Sequence, residues 1–557
     1  MTQRYQGRLE LTWTNKDWRL LAHDQSSYEW VPPHDYRVSE VRLLRDAGAV
    51  GAARADSALE KDNLLIRGDA LSALTSLASL PRFAAQLVGK VKLVYIDPPF
   101  NTGQAFDSYD DNLEHSVWLT MMRDRLLQVK KLLAPDGLVW VHLDDAEMPY
   151  CRIILDEVFG RENFIATVIW EKSDSPRMDA KNFSVRHDYM LVFGASEAAS
   201  VRGMKYDQAA QAHYNRTDDD GKVYAIDPLR MRGVNAARSA RPNLYYPLTA
   251  PDGTIVYPKT PDGEDGTWRW GRERVERDSH LVEWVEGRAG WTPYRRVYPK
   301  ADATKPPETI WPHAEVGSNR TSKAEIKKLF PKSPPFDTPK PEALIQRVIE
   351  LSTEEGDIVL DCFAGSGTTA AVAHKLNRRW VTSEWSEQVF STYTLPRLKK
   401  VVDGDDPGGV SGACEWEGGG GFRMLEVAPS MFEAGEGVVY LADWAVNGQL
   451  AEATAAQLGY SYEPDGPLAG RKGRTRLAVV DGLVNGSVVQ LLSEQLLPDE
   501  RLVIWGTRLD AEAWDQGKSD VPGSRVRKIP SSILAEYRLG WRKERRATLI
   551  PDPKVDD

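Results

Sequence analysis

The sequence predicts an α/β fold built on a parallel, doubly wound sheet. Three observations carry this expectation. Strands and helices alternate over residues 61–200, the alternation returns over residues 336–407, and a glycine-rich loop follows a buried strand in the second stretch. In the first stretch, LLIR (64–67) is a short apolar run ending in Gly68-Asp69, and ALSALTSL after it is helical. VKLVYI (91–96) is a buried-type strand that stops at Asp97-Pro98-Pro99-Phe100. Leu113, Val117, Leu126, Val129 and Leu133 recur at helical spacing, Pro135-Asp136-Gly137 marks a turn, and LVWVHL (138–143) is a further strand. In the second stretch, residues 339–353 read as a helix and DIVLDCF (357–363) as a strand. The loop AGSGTT, a helix to Asn377 and the strand WVTSEW (380–385) complete it.

The remaining segments differ in composition. Residues 1–60 form an N-terminal arm with one helix-like stretch at 37–48. Residues 201–335 are rich in Pro, Gly, Trp, Tyr and Arg and break the alternation as an insert. GGVSGACEWEGGGG (408–421) has the composition of a linker, and residues 422–557 alternate apolar strands with helices as a small C-terminal α/β domain. The chain has 557 residues, 41% hydrophobic and 27% charged, which suits several packed cores and excludes a disordered chain. Three separated cysteines, Cys151, Cys362 and Cys414, form neither a disulfide framework nor a zinc pair and point to a reducing, cytoplasmic setting. MTQRYQGRLELTW has no apolar core of a signal peptide, and no run approaches the length that spans a bilayer, so no membrane partner is expected. The net charge is −10, but residues 201–330 hold 22 Lys and Arg against 18 Asp and Glu. That local excess, with its aromatic residues, makes the insert the best candidate for a nucleic-acid face.

Two motifs carry chemistry. Asp361-Cys-Phe-Ala-Gly-Ser-Gly-Thr-Thr369 places glycines where a backbone must approach a ligand, just before a helix N-terminus. Glu384 ends the next strand, where a carboxylate takes two ribose hydroxyls. By itself this pattern also fits a NAD-linked enzyme. Asp97-Pro98-Pro99-Phe100 is a rigid turn that aims a carboxylate and the Pro98 carbonyl at one point beside an aromatic ring. Two acceptors and a stacking face suit the exocyclic amino group of a nucleobase. His142 with Asp144-Asp145 invites a metal reading that a strand end explains as well, and no metal is expected. No Gly-x4-Gly-Lys-Ser/Thr loop is present.

DPPF followed, after a long insert, by AGSGTT resembles the S-adenosylmethionine-dependent amino-methyltransferases of DNA, in the circularly permuted β class. Thr338-Pro339-Lys340-Pro341 is similar to that family's Thr-x-Lys-Pro motif, and Gly68-Asp69 resembles its cofactor-adenine site. The stretches NFIATVIWEK (163–172), AKNFSVRHDYMLVF (180–193), RPNLYYPLTAPDG and TWRW look like those of Type III restriction-modification Mod subunits. The resemblance covers about residues 10–425. It implies a Rossmann-like, permuted methyltransferase fold with an inserted target-recognition domain. It implies that Asp97, Pro98, Pro99 and Phe100 hold a flipped adenine, with Phe where many members have Tyr. Asp361, Ala364, Gly365 and Gly367 would line the cofactor's methionine part, Glu384 would take its ribose and Asp69 its adenine, and Phe363, Ser366 and Thr368 would belong to the same cofactor site. Thr338 and Lys340 would border the same pocket, with Lys340 suited to the cofactor carboxylate. Arg230, Arg232, Arg238, Arg241, Trp268, Arg269 and Trp270 of the insert are candidates to grip DNA.

The implied reaction is methyl transfer to N6 of adenine in double-stranded DNA, in a restriction-modification or phage-defence setting. A homodimer and a separate restriction subunit with helicase and nuclease parts are the implied partners. A DNA-recognition subunit with little catalysis of its own, and an N4-cytosine or RNA amino-methyltransferase, remain open at this point.

Overall fold

A computed structural model of the chain describes residues 9–22, 28–53, 61–101, 114–205, 213–233, 235–288, 290–299, 304–334, 336–435, 438–511, 513 and 521–548; Leu113 lies outside them, and for 540–548 only the backbone is described. The chain divides into two compact units, one of residues 1–202 with 308–557 and one of residues 203–307. No helix of the described residues is long and apolar enough to cross a membrane.

The larger unit is organised by a ten-stranded sheet. In chain order its strands are β1 (Leu44–Gly51), β2 (Leu64–Arg67), β3 (Val91–Ile96), β4 (Leu133–Leu143), β5 (Phe164–Glu171), β6 (His187–Gly194), β7 (Ile310–Trp311), β8 (Ile358–Asp361), β9 (Arg379–Glu384) and β10 (Gly421–Val427). Their order across the sheet is β7-β5-β6-β4-β3-β8-β9-β2-β10-β1. The six strands from β4 to β10 run parallel, with β6 and β1 antiparallel to their neighbours. Strands read as near-continuous apolar runs because both faces of this parallel core are covered. Leu64, Leu65, Ile66, Leu93, Val94 and Ile96 are fully buried.

The chain order is the permuted one. The late strands β8 and β9 insert between the early strands β3 and β2, pairing Leu360 with Val94 and Thr382 with Leu65. The carboxyl ends of β3 and β8, which carry Asp97 and Asp361, are therefore neighbours. Ligands of open α/β sheets bind at the carboxyl ends of such strands.

Helices cover the sheet. α1 (Ala70–Ser79) buries Ala73, Leu74 and Leu77 and is capped by Asp69, whose carboxylate accepts from Ser72 N at 3.0 Å. α2 (His115–Leu132) buries Leu119, Met122, Leu126 and Val129 on one face. α3 (Asn319–Leu329), α4 (Glu342–Ser352), α5 (Thr368–Lys375) and α6 (Leu395–Asp403) surround the glycine loop's half.

Several sequence expectations need correction. The helix-like stretch 37–48 gives one helical turn, Tyr36–Ser39, and then strand β1. Its Leu43 and Leu44 are buried and β1 pairs with β10, so sheet packing overrides helical spacing. The turn expected at Pro135-Asp136-Gly137 is a bulge inside β4, because Val91 pairs with Leu133 and Leu93 already with Leu138. The insert expected to end at 335 forms a compact unit only to Pro307; β7 and α3 belong to the larger unit. Residues 408–421 do not behave as a linker. Val410 is buried with its N–H on Glu342 Oε2 at 2.9 Å, and the Trp416 indole donates to Val401 O at 2.8 Å. The tail carries its own five-stranded sheet, yet Met431, Phe432, Leu450 and Ile533 join the main hydrophobic core.

The smaller unit has a four-stranded sheet spanning Arg216 to Val297 and a core of Leu229, Tyr246, Trp268 and Trp270.

Candidate active site

The glycine loop folds as its sequence demands. Gly365 and Gly367 have φ of +51° and +78°, in the left-handed region where a side chain is strained. A Cβ on Gly367 would lie 3.4 Å from Thr394 Cγ2, and one on Gly365 would lie 3.4 Å from the Phe336 ring. Gly365 N donates to Glu384 Oε2 at 2.8 Å, Ser386 N donates to Glu384 Oε1 at 2.8 Å, and Thr394 Oγ1 donates to Gly365 O at 2.7 Å. The loop is braced from behind by Arg397 of α6, which donates to Thr368 Oγ1 at 2.7 Å and to Glu342 Oε1 at 2.8 Å. Ser366 and Thr368 share a hydroxyl contact at 3.1 Å.

This loop and the DPPF turn open into one cavity of about 920 Å³, lined among others by Asp97, Phe100, Thr338, Lys340, Asp361 and Glu384. Its carboxylates are not ordinary. Burial pushes Asp361 up to about 7; the nearby Asp97 charge adds to this, while Thr369, the Phe363 N–H and Lys340 oppose it. Burial likewise pushes Glu384 up to about 7 against the N–H groups of Ser386 and Gly365.

At the DPPF turn, Asp97 Oδ2 pairs with the buried Lys340 ammonium, while its Oδ1 is buried with no hydrogen-bond partner. The Lys340 Nζ also lies 5.1 Å from the Phe100 ring centroid. Lys340 thus links Asp97 and Phe100 within the cavity that it lines. Pro99 O accepts from the Trp118 indole at 2.7 Å, which fixes the turn onto α2. Phe100 stacks on His142 with centroids 5.8 Å apart and planes 28° apart. His142 is fully buried; its Nδ1 lies 2.8 Å from Tyr95 Oη and its Nε2 is 3.4 Å from Asp188 Oδ2, outside hydrogen-bond geometry. Burial, helped by the Lys340 charge, holds His142 below its usual range, so the ring under Phe100 is neutral. Lys172 completes the row with a 2.6 Å bond to Asp188 Oδ1.

Asp69 lines the same cavity, but both oxygens are engaged, one as the α1 cap and one with Arg125 at 2.6 Å. Phe363, Ala364 and Thr338 also line it, and Arg125 lies 5.8 Å from the Phe363 ring centroid. Reading by sequence missed Tyr95, His142, Asp188 and Arg397 as supports of the site. His142 and Asp188 lie on β4 and β6 and meet only through strand pairing. No group of three or more His, Cys, Asp or Glu placed to hold a metal occurs among the described residues.

In the smaller unit, Trp268 and Trp270 are core residues, so the expectation that they face DNA is corrected: Trp268 is 2% exposed and its indole donates to Tyr246 O at 2.8 Å. Arg238 pairs with Asp265 at 3.0 Å and lies over Tyr245. Arg232 and Arg269 approach Asp227 at 4.0 and 3.5 Å. Arg230 has a buried Nη1 with no hydrogen-bond partner, and Arg241 is exposed.

Residues 91–394, more than half of the chain, match the DNA methylase family. The probable type III restriction-modification enzyme HindVI Mod subunit of Haemophilus influenzae is 30% identical over 419 residues, 66% of this chain and 54% of that protein. The type III EcoPI Mod subunit of Escherichia phage P1 is 28% identical over 366 residues, 57% of this chain and 55% of that protein. The type II methyltransferase M.KpnI of Klebsiella pneumoniae is 30% identical over 343 residues, 56% of this chain and 80% of that protein. The chain spans about half the length of the two Mod relatives it matches. The matched residues run from β3 through the glycine loop and α6's approach, taking in both halves of the cavity, and the chain belongs to the DNA methylase family.

Proposed function

We propose that the protein methylates N6 of adenine at specific sites in double-stranded DNA, using S-adenosylmethionine. The observation that carries this reading is the joining of Asp97 and the glycine loop, on adjacent parallel strands, in one cavity.

The residues present fit that cofactor. The two left-handed glycines leave a backbone cradle that a Cβ would strain, and Glu384 offers a carboxylate at the loop for a ribose. When bound there, S-adenosylmethionine supplies an electrophilic methyl carbon on its sulfonium. Asp361, Ala364, Gly365 and Gly367 would hold its methionine part, and Asp69 would border its adenine through the Arg125-bonded carboxylate.

The chain's own residues orient the acceptor. A target base must leave the helical stack before its amino group is reachable. Phe100, held from behind by His142, gives it a stacking face. Asp97 Oδ1 is a buried acceptor with no partner, so an entering N–H gains a hydrogen bond there that nothing now makes. The amino group also competes with Lys340 for Oδ2. Asp97 would draw on the N–H bonds and raise electron density on nitrogen as the N–C bond forms at the expense of the methyl–sulfonium bond, whose electron pair stays on sulfur, and its carboxylate would take the released proton.

The relatives' names, as Mod subunits of restriction-modification enzymes, support a restriction partner chain, and a homodimer is part of the same proposal. Two buried free cysteines, Cys151 and Cys362, suit a cytoplasmic setting.

Long-read sequencing of host DNA with and without the gene tests the reading. N6-methyladenine at one short motif is expected. Asp97→Ala should lower methylation ~10²–10⁴-fold while cofactor binding persists. N4-methylcytosine instead would reassign the base, and no modified base would leave a DNA-recognition subunit.

A further inference from the structure

The loop joining β5 to β6 carries an unusual pair of side chains. Met178 and Phe183 are 92% and 91% exposed, the two most exposed large apolar residues among those described. The fold does not use either. Yet the loop that bears them is firmly built. Lys172 N donates to Arg186 O at 2.9 Å, continuing the β5–β6 ladder beyond Glu171 and His187. Arg186 then ties the neck, donating to Glu171 Oε1 at 2.6 Å and to Ser173 O at 3.1 Å. Higher up, Arg177 N donates to Ser184 Oγ at 2.6 Å. The tip beyond both braces, closed by the Arg177–Ser184 bond, is Met178 to Phe183.

The position of the loop gives the tip a use. Ser175, Arg177 and Val185 line the catalytic cavity, so the tip stands at its mouth. Cations share that mouth: Arg177 and Lys323 line the cavity, as do Lys172 and Arg320, which pair with Asp188 and Asp174, and the tip itself carries Lys181 along with Asp179. Arg177, Lys323 and Lys181 near exposed apolar side chains match a duplex, whose phosphates surround a stack of flat bases. Flipping a base opens a gap in that stack, and apolar side chains such as Phe and Met are the residues that enter base steps.

We propose that Phe183, with Met178 beside it, is a wedge that enters the duplex and fills the gap left by the flipped target base. Phe183 is a positioning residue: it touches neither cofactor nor reacting atoms, and acts by holding the base out toward Phe100. The proposal rests on the reading of the cavity as a base-accepting methylation site.

The test uses the full chain and duplexes bearing the methylated motif found by sequencing: one set with 2-aminopurine at the target position, which lacks the 6-amino group and reports flipping only, and one set with adenine there, on which methylation rates are measured. Phe183→Ala should reduce the fluorescence rise on binding and lower kcat/KM by about 10- to 100-fold, the range one lost base-stacking contact gives. A duplex with an abasic nucleotide opposite the target should restore the variant to near wild-type rates, because no pair resists extrusion. Phe183→Trp should keep function on both duplexes. Melting temperature and its rise with S-adenosylmethionine should not change in Phe183→Ala, since the side chain is exposed. A Met178→Ala/Phe183→Ala double variant that flips and methylates the matched duplex like wild type overturns the wedge while leaving the methyltransferase reading intact. A loss that the abasic duplex does not restore also overturns it. Wild-type protein that methylates no duplex overturns both.

Discussion

Glu384 accepts the N–H groups of Gly365 and Ser386 at the end of β9, half-buried in the cavity wall, and its desolvation there pushes its carboxyl up to about 7. Asp361, one strand away, is pushed up to about 7 as well. The ligand this pocket fits carries ribose hydroxyls and a cationic sulfonium, both of which favour ionised carboxylates. A protonated group must therefore lose its proton on binding. Affinity for S-adenosylmethionine should be full above pH 7 and fall as pH drops through 7, and Glu384→Gln should weaken binding and flatten that fall. Titration of the free chain with S-adenosylmethionine at pH 5.5, 6.5 and 8 checks this; an affinity that does not change with pH shows that the two carboxyls are not in the binding step. These residues were legible because local sequence fixes them: a strand end, two left-handed glycines, and a carboxylate about 20 residues on. The partners of Asp97 were not. Lys340 lies 243 residues from Asp97 in sequence, and only the permuted sheet joins them.

Three helices and the loop after the last of them meet behind the glycine loop in a charge cluster that no sequence pattern announces. Glu342 on α4, Lys375 on α5, Arg397 on α6 and Asp406 beyond it have side chains that are fully or almost fully buried. Lys375 Nζ is 2.8 Å from Glu342 and 2.6 Å from Asp406, and Arg397 spans Glu342 and Thr368. Two cations balance two carboxylates, and burial of Glu342 is overcome by Arg397 and Lys375, which keep it ionised. In a single sequence such residues look like ordinary helix-surface charges, and packing alone reveals them. Removing one partner of a buried pair leaves an uncompensated charge, which destabilises by about 3–5 kcal/mol. Arg397→Ala should lower unfolding free energy by about that amount and weaken cofactor binding, because Thr368 loses its brace. Urea unfolding checks the first effect and calorimetric titration the second; an unchanged urea midpoint would show that the cluster adds no stability.

At the scale of the molecule, the glycine-rich stretch 408–421 reads in sequence as the seam between a methyltransferase and a separable tail. Composition supports that reading, because glycine runs mark flexible chain. The structure places no seam there. Strand β10 starts at Gly421 and lies in the central sheet between β2 and β1, pairing Leu425 with Ile66 on one side and with Asp46 on the other. Phe422 and Leu425 are fully buried, and the buried Arg423 pairs with Asp46 at 3.0 Å and Asp62 at 3.2 Å. The glycines are used for close approach: a Cβ on Gly421 would meet Val50 O at 2.4 Å, and one on Gly418 would meet Gly404 N at 2.8 Å. A chain cut at Gly418 therefore loses a strand of its catalytic sheet. Phe422 and Leu425 alone represent about 3–6 kcal/mol of apolar burial. That is a large part of the ~5–15 kcal/mol by which folded proteins are stable. The truncated chain should precipitate or melt far below the full-length protein and bind no S-adenosylmethionine. Thermal melting of the two chains side by side decides it: a chain ending at Gly418 that melts cooperatively at the full-length temperature would show that β10 is dispensable and restore the seam.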